Sequence, residues 1–335
     1  MSKQETRIHS EIDFDAEGKH QGFLRLPHSV HRSAYGWLPM PVISIKNGEG
    51  PCVLMMSGNH GDEYEGQISN AYIARTTEPF DIQGQLIILT MANYPAAKAG
   101  LRVSPIDQGN LNRVFPGNAR GTLTQMIAHY IEEIIMPRCD VMFDLHSGGS
   151  SLLYVPSVQA HLEPDGSLHP RVRELCEAFA APLTQVYPAA DGPMSESAAR
   201  RKGLIYFTTE LAGAGMITPE AYGYARRGSV RVLHKLGILR EKPNLPDDPP
   251  TEYVNIDGDE LFCYSTEAGL FEPLVELGQT VEDGQPAAAI HTPENPWDNP
   301  TIIHFKSDGK VVCKRVPGHT ERGDCLYHLG TPWKG

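Results

Sequence analysis

Met55-Met56-Ser57-Gly58-Asn59-His60-Gly61-Asp62-Glu63-Tyr64-Glu65-Gly66 is the stretch on which the fold and chemistry of this 335-residue chain turn. The apolar run from Cys52 to Met56 reads as a buried strand; glycine breaks it, and His60 and Glu63 fall three apart where a helix should begin. A second apolar run, Val141-Met142-Phe143-Asp144-Leu145-His146, brings another histidine to a strand end ahead of Ser147-Gly148-Gly149. Two imidazoles and one carboxylate at the ends of neighbouring buried strands predict a zinc site of three ligands, His60, Glu63 and His146, with an open fourth position. A His-x-x-Glu pair alone is common by chance. Context separates this one, because both histidines follow strand-like runs, glycine lies close to each, and α/β sheets place ligands at the carboxyl ends of their strands.

Upstream, residues 6–26 alternate apolar and polar around Glu17-Gly18-Lys19, predicting an edge hairpin. A linker with Pro27, Gly36, Pro39 and Pro41 leads to the strand Val42–Ile45, and Asn47-Gly48-Glu49-Gly50 is a turn before the strand at Cys52. Downstream, residues 63 to about 77 read as a helix with Ile68, Ala71, Tyr72 and Arg75 on one face, and Gly84–Thr90 as a buried strand. Asn93 to Gly121 shows no periodicity and carries Arg102, Asn112 and Arg113; so long a loop in a compact domain is usually functional. Thr122–Met136 is an amphipathic helix closed by Pro137. After His146, short strands alternate with helices to about Gly237, with Glu210 at the end of the strand starting at Leu204. The alternation predicts an α/β fold with a mixed, mostly parallel sheet flanked by helices.

The Pro-rich run 241–251 divides a catalytic unit, residues 1–240, from a β-rich unit, residues 252–335. In the latter, Gly278 follows Gly269 by nine residues and Gly318 follows Gly309 by nine, an echo resembling the halves of a barrel-sandwich. The lysine that carriers of that type modify is missing from the turn Thr292–Pro296, so a structural cap is expected instead.

A net charge of −12 argues against a nucleic-acid partner. The six cysteines are scattered without a Cys-x-x-Cys pair and read as reduced thiols. Met1 to Arg7 has no apolar run and no stretch approaches bilayer length, so a cytoplasmic protein is expected, with no membrane partner. Asp144, two residues before His146, shares its face and is placed to orient a ligand histidine, although an ordinary buried aspartate reads equally well. Asp62 and Glu65 read as helix N-terminal charges, and Gly148 and Gly149 as space for a small acyl group.

Taken together, His60-x-x-Glu63, His146, Asn112-Arg113 and Glu210 resemble the succinylglutamate desuccinylase/aspartoacylase family, the amidohydrolase branch of the zinc carboxypeptidase fold. Within it, Ser104-Pro105-Ile106-Asp107, Asn110–Gly117 and Thr209-Glu210-Leu211-Ala212-Gly213 look most like the Nα-acetyl-L-2,4-diaminobutyrate deacetylases of ectoine degradation. The resemblance implies one zinc ion per subunit and a small N-acyl amino acid substrate, and it leaves room for a homodimer. It implies that Arg102 polarises the scissile carbonyl, that Asn112 and Arg113 grip the α-carboxylate, and that Glu210 is the general base. Arg102 lies ten residues before Asn112, farther than in aspartoacylases. A desuccinylase, an aspartoacylase or a carboxypeptidase-like peptidase is the rival enzyme, and a non-catalytic binding protein of the same fold the rival from another class.

Overall fold

The structure, a computed structural model, describes residues 6–335; Met1–Glu5 of the N-terminal stretch lie outside the described residues. Strands β1 (His9–Ser10) and β2 (Gly18–Pro27) form the hairpin at the edge, and β2 continues into β3 (Trp37–Asn47). Pro39 and Pro41, read from the sequence as linker, belong to β3. They lie where the strand has a single neighbour, β2, because β5 (Gly84–Leu89) reaches β3 only from Ile43 to Asn47. The turn after Asn47 does not make a hairpin either. The strand β4 (Cys52–Ser57) pairs with the far side of β5, in parallel, and with β6 (Val141–His146).

Between these strands run α1 (Glu65–Thr76), the short α2 (Tyr94–Ala99) and α3 (Leu123–Tyr130), the last continued by wider and tighter turns to Arg138. Thr122 caps α3 with a reciprocal Gln125 contact, as its sequence requires. Helix α2 sits inside the stretch read as aperiodic. Then come β7 (Leu152–Tyr154), β8 (Ser157–Leu162), α4 (Pro170–Phe179), β9 (Leu183–Pro188), α5 (Ser195–Arg201), β10 (Ile205–Glu210) and α6 (Pro219–Lys235).

Alternate residues of the central strands feed two cores, which is why the runs are apolar throughout. Leu54, Met56, Ile87 and Met142 face α3 and α5, whereas Val53, Met55, Ile88 and Phe143 face α4 and α6. Phe143 stacks on Phe207 at 4.2 Å between ring centres. The buried side of α1 is not its apolar stripe. It buries Glu65, Gly66, Ser69, Asn70 and Ile73, while Ile68 is exposed.

The last third supplies β11 (Glu252–Asn255), β12 (Phe262–Tyr264), β13 (Gly269–Pro273), β14 (Thr280–Val281), β15 (Pro286–His291), β16 (Thr301–His304), β17 (Gly309–Arg315), β18 (His319–Thr320) and β19 (Cys325–Pro332). The large sheet runs in the order β1-β2-β3-β5-β4-β6-β10-β8-β9-β11-β19-β17-β14, with β7 on β17 and β12 on β19. It is mixed, with β5, β4, β6 and β10 parallel at its centre and antiparallel pairs towards both ends. A separate sheet, β16-β15-β13-β18, closes a β-rich core of its own around Phe271, Ile290 and Tyr327. Residues 241–251 carry no regular element, and Asp248 is tied to Arg227 and Arg231 of α6 at 2.9 and 2.8 Å.

Candidate metal centre and substrate cleft

His60 and Glu63 lie in the turn between β4 and α1, and His146 ends β6 beside it. One ligand atom from each comes within 4.8 Å of the others, and all three residues are buried. His60 Nδ1 is 2.7 Å from Glu63 Oε1, and His146 Nδ1 is 2.9 Å from Glu63 Oε2. The opposite ring nitrogens are engaged elsewhere. His60 Nε2 lies 3.1 Å from Asn110 Oδ1, and His146 Nε2 lies 2.9 Å from Asp144 Oδ2. Both Nδ1 atoms and the carboxylate therefore face one point, while outer partners fix the rings. Two imidazole nitrogens and a carboxylate are a donor set that suits a divalent cation.

Asp144 does more than touch one ring. Its Oδ2 accepts from His146, from Ser195 Oγ at 2.9 Å and from Asn59 Nδ2 at 3.1 Å. Burial pushes the His146 imidazole down, but Asp144 and then Glu63 outweigh it and hold the ring well above the ordinary histidine value. Burial likewise pushes Glu63 up, and the two facing imidazoles reverse this, leaving its carboxyl well below the usual range. In the metal-free protein this is a buried ion pair, and a cation must displace the His146 proton to enter.

The flanking residues do structural work beyond their sequence reading. Asp62, just ahead of α1, is buried; its Oδ2 accepts from Ser150 N and Oγ, both at 2.8 Å, and so pins the loop after His146. Glu65 stands in the first turn of α1, as the sequence predicts, but it is fully buried, and burial pushes its pKa up. Gly148 lines the cleft, and chain packing also demands a glycine at both positions. A Cβ on Gly148 would lie 2.2 Å from Leu152 O, and one on Gly149, at φ +56°, 2.6 Å from Asp62 Oδ2.

Arg102, Asn112, Arg113 and Glu210 line the same cleft as the donor cluster, a space of about 320 Å³. Arg102 Nη1 stands 3.6 Å from Glu63 Oε1 and 3.5 Å from His60 Nδ1, and its side chain is half exposed. Asn112 spends its side-chain oxygen on Ser195 N–H at 2.8 Å, which leaves its amide NH2 to donate. Arg113 donates to Asn112 O at 2.7 Å and has no carboxylate partner among the described residues. Burial and the neighbouring Arg102 lower its pKa. Glu210 ends β10 directly opposite His146. Its Oε2 is sealed from solvent without a partner, and burial, then the Glu63 charge, pushes its pKa up to about 8. Sequence reasoning missed the rest of the wall, chiefly Tyr154, Tyr187, Ser195, Glu196 and Tyr206. Their spacing carries no motif; only the sheet order brings β7, β9, α5 and β10 to one mouth.

Among the described residues no helix is long and apolar enough to cross a membrane. The sequence profile of the succinylglutamate desuccinylase/aspartoacylase catalytic domain matches residues 49–236. The N-alpha-acetyl-L-2,4-diaminobutyric acid deacetylase of Halomonas elongata is 37% identical over 97% of both chains. The product-bound structure of the ectoine utilization protein EutE (DoeB) from Ruegeria pomeroyi superposes with a TM-score of 0.93, at 37% identity, over 98% of this chain and 99% of that one. A succinylglutamate desuccinylase/aspartoacylase structure from Rhodobacter sphaeroides superposes with a TM-score of 0.94, at 34% identity, over 98% and 100%. Nearly full-length likeness in sequence and in shape, over a buried His-Glu-His cluster, has one reading: the chain belongs to the succinylglutamate desuccinylase/aspartoacylase family of metal-dependent deacylases.

Proposed function

We propose that the protein is a zinc-dependent amidohydrolase that converts Nα-acetyl-L-2,4-diaminobutyrate and water to L-2,4-diaminobutyrate and acetate. The observation that carries this reading is the placement of Arg113 and Glu210 in the same cleft as the His60, Glu63 and His146 donors. The substrate is suggested by the Halomonas elongata relative.

Zinc held by His60, Glu63 and His146, one ion per subunit, supplies Lewis acidity, polarising the amide carbonyl and making a water acidic near neutral pH. Arg113 offers its guanidinium fork to the substrate α-carboxylate, and the Asn112 amide donates beside it. Arg102, at the edge of the donor cluster, faces negative charge developing on the carbonyl oxygen, a role worth about 3 kcal/mol where it is filled by a preorganised donor. Glu210 takes the proton of the attacking water at its unpaired Oε2 and returns it to the leaving α-amine. Without metal, burial and then the Glu63 charge push this carboxyl up to about 8; a divalent cation on Glu63 would offset the second cause and favour the carboxylate that accepts the proton.

The six unpaired thiols are in keeping with a reducing, cytoplasmic setting. The test is acetate release from Nα-acetyl-diaminobutyrate by purified protein of known metal content, beside a panel of N-succinyl and N-acetyl amino acids and peptides. Loss of activity with chelator and recovery with zinc are expected. Full activity after complete metal removal overturns the proposal.

A further inference from the structure

With the metal centre and Glu210 set aside, three charged side chains remain in the cleft: Arg102, Arg113 and Glu196. The two arginines lie on its open side, both exposed. Glu196 is only 5% exposed. It is also held in register with the rest of the site. The residue before it, Ser195, donates its backbone N–H to Asn112 and its hydroxyl to Asp144, which in turn holds His146. A carboxylate is thus fixed one residue from a joint between the metal ligand and the loop that carries Arg113.

Among the described residues no cation lies within bonding distance of this carboxylate, and the Arg200 charge acts on it only from farther off. Its Oε2 accepts from the Tyr187 hydroxyl at 2.8 Å, and its Oε1 is buried without a hydrogen-bond partner. The nearest imidazole, His161 Nδ1, stands off at 3.6 Å, and burial, followed by Arg200, pushes that ring towards its neutral form. Arg200 itself lies against Asp191 at 3.5 Å. A buried carboxylate in a ligand cleft with no cation on it is costly in the free protein and is repaid by a cationic ligand. Tyr187 adds an acceptor. Its proton goes to Glu196, so the phenolic oxygen of this cleft-lining residue keeps its lone pairs for a donor.

Resting on the deacylase reading, we propose that Glu196, acting with Tyr187, is the subsite that receives a cationic substrate side chain and rejects an anionic one. The cleft then matches a zwitterionic ligand end to end, with guanidinium groups for the α-carboxylate and a tyrosine-backed carboxylate for a side-chain ammonium. An aspartyl or glutamyl side chain would meet an uncompensated negative charge there.

The experiment is calorimetric binding of free amino acids to the zinc-loaded protein, which requires no turnover. L-2,4-diaminobutyrate is compared with L-2-aminobutyrate, the same skeleton without the ammonium, and with L-aspartate. Wild type is expected to prefer diaminobutyrate over aminobutyrate by roughly 10- to 100-fold, the worth of one hydrogen bond to a charged group, and to bind aspartate most weakly. Glu196→Gln, which keeps the shape and can still accept from Tyr187, should bring the two butyrates within about threefold while aminobutyrate affinity stays put. If that variant does not fold, Tyr187→Phe carries the same comparison and should lower the ratio. Equal binding of the two butyrates by wild type, or a ratio unchanged in the variants, overturns the subsite. Selective binding without acetate release would refute the proposed reaction and leave the subsite standing; efficient acetate release with equal binding would do the reverse.

Discussion

Asp144→Asn should loosen the metal while leaving the fold intact, and its size follows from what one oxygen does. Asp144 Oδ2 accepts from His146 Nε2, Ser195 Oγ and Asn59 Nδ2, and Oδ1 is buried with no partner. An asparagine can keep an oxygen on the three donors only by burying its NH2 where Oδ1 lies, a cost of about 1–3 kcal/mol. It also removes the charge that makes the bond to His146 charge-assisted, and neutral bonds of this kind are roughly half as strong. Asp144 is the first of the charges that raise the His146 pKa, so the imidazole becomes a poorer donor. Much of the burial cost is shared by the free and metal-bound forms. The lost basicity and orientation act on the metal-bound form, and partners of this kind are worth roughly 10- to 100-fold in metal affinity, about 1.4–2.8 kcal/mol. Zinc competition against a chromogenic chelator measures this, with thermal melting of the metal-free variant as the control for folding. A folded Asp144→Asn protein whose zinc affinity lies within twofold of wild type would refute the orienting role.

Glu210→Gln should keep zinc, measured by mass spectrometry, while turnover falls by roughly 10²- to 10⁴-fold; a variant retaining a tenth of wild-type turnover removes Glu210 from proton transfer. Arg113→Lys should raise KM by about tenfold or more with kcat changed little, because lysine keeps the charge and loses the fork; an unchanged KM sinks the carboxylate grip. The metal-free protein carries a pH signature. Glu210 has a folded pKa of about 8 against an ordinary 4.5, so the native state holds a proton that the unfolded chain releases, and stability should fall as pH rises between those values. His146, whose folded pKa is raised, adds a loss above the ordinary imidazole value, and the difference in denaturant midpoint between wild type and Glu210→Gln isolates the Glu210 share. A wild-type slope matching the variant's across that window contradicts the buried, proton-holding carboxyl.

The centre of the sheet was legible because strands buried on both faces must be apolar at every position, and β4, β5 and β6 are. The histidines stood out because they interrupt those runs at their carboxyl ends. Elsewhere the same rule misled. The spacing puts Ile68 and Tyr72 on one face of α1, yet the helix buries Glu65, Ser69 and Asn70, with Asn70 Nδ2 donating to Ser57 Oγ at 3.0 Å. A polar element under the donor cluster breaks the hydrophobic period that reveals a helix face. The strand β8, Ser157-Val158-Gln159-Ala160-His161-Leu162, lacks a clean apolar alternation because its polar residues Ser157 and Gln159 are both satisfied by Gln185 of β9, each at 2.8 Å. Glu196 gave no local signal at all. Its meaning depends on Tyr187, nine residues earlier and on another element.

The β-rich third is tied to the walls of the cleft through the backbone. The strand β7 is sequentially part of the catalytic region, yet it pairs with β17, Leu152 to Tyr154 against Arg315 to Cys313. On its other side Leu153 bridges Gly213, and Ala212 O accepts from both Gly148 N and Tyr154 N at 3.0 Å. The loop after Glu210, the loop after His146 and the Tyr154 wall are thereby braced to one another, and the brace is anchored on the C-terminal strands. The strands β9, β11, β19 and β17 carry the main sheet without a break into that anchor, and Ile256, just past β11, lines the cleft beside them. Burial is the leading cause of the raised Glu210 pKa. The residues that keep water from Glu210 are set by this brace, so the C-terminal strands help to fix the proton affinity of a group they do not contain. A hinged lid docked by a few side-chain contacts would expose such a group at each opening, whereas here the wall is joined to the C-terminal strands by one continuous hydrogen-bonded sheet.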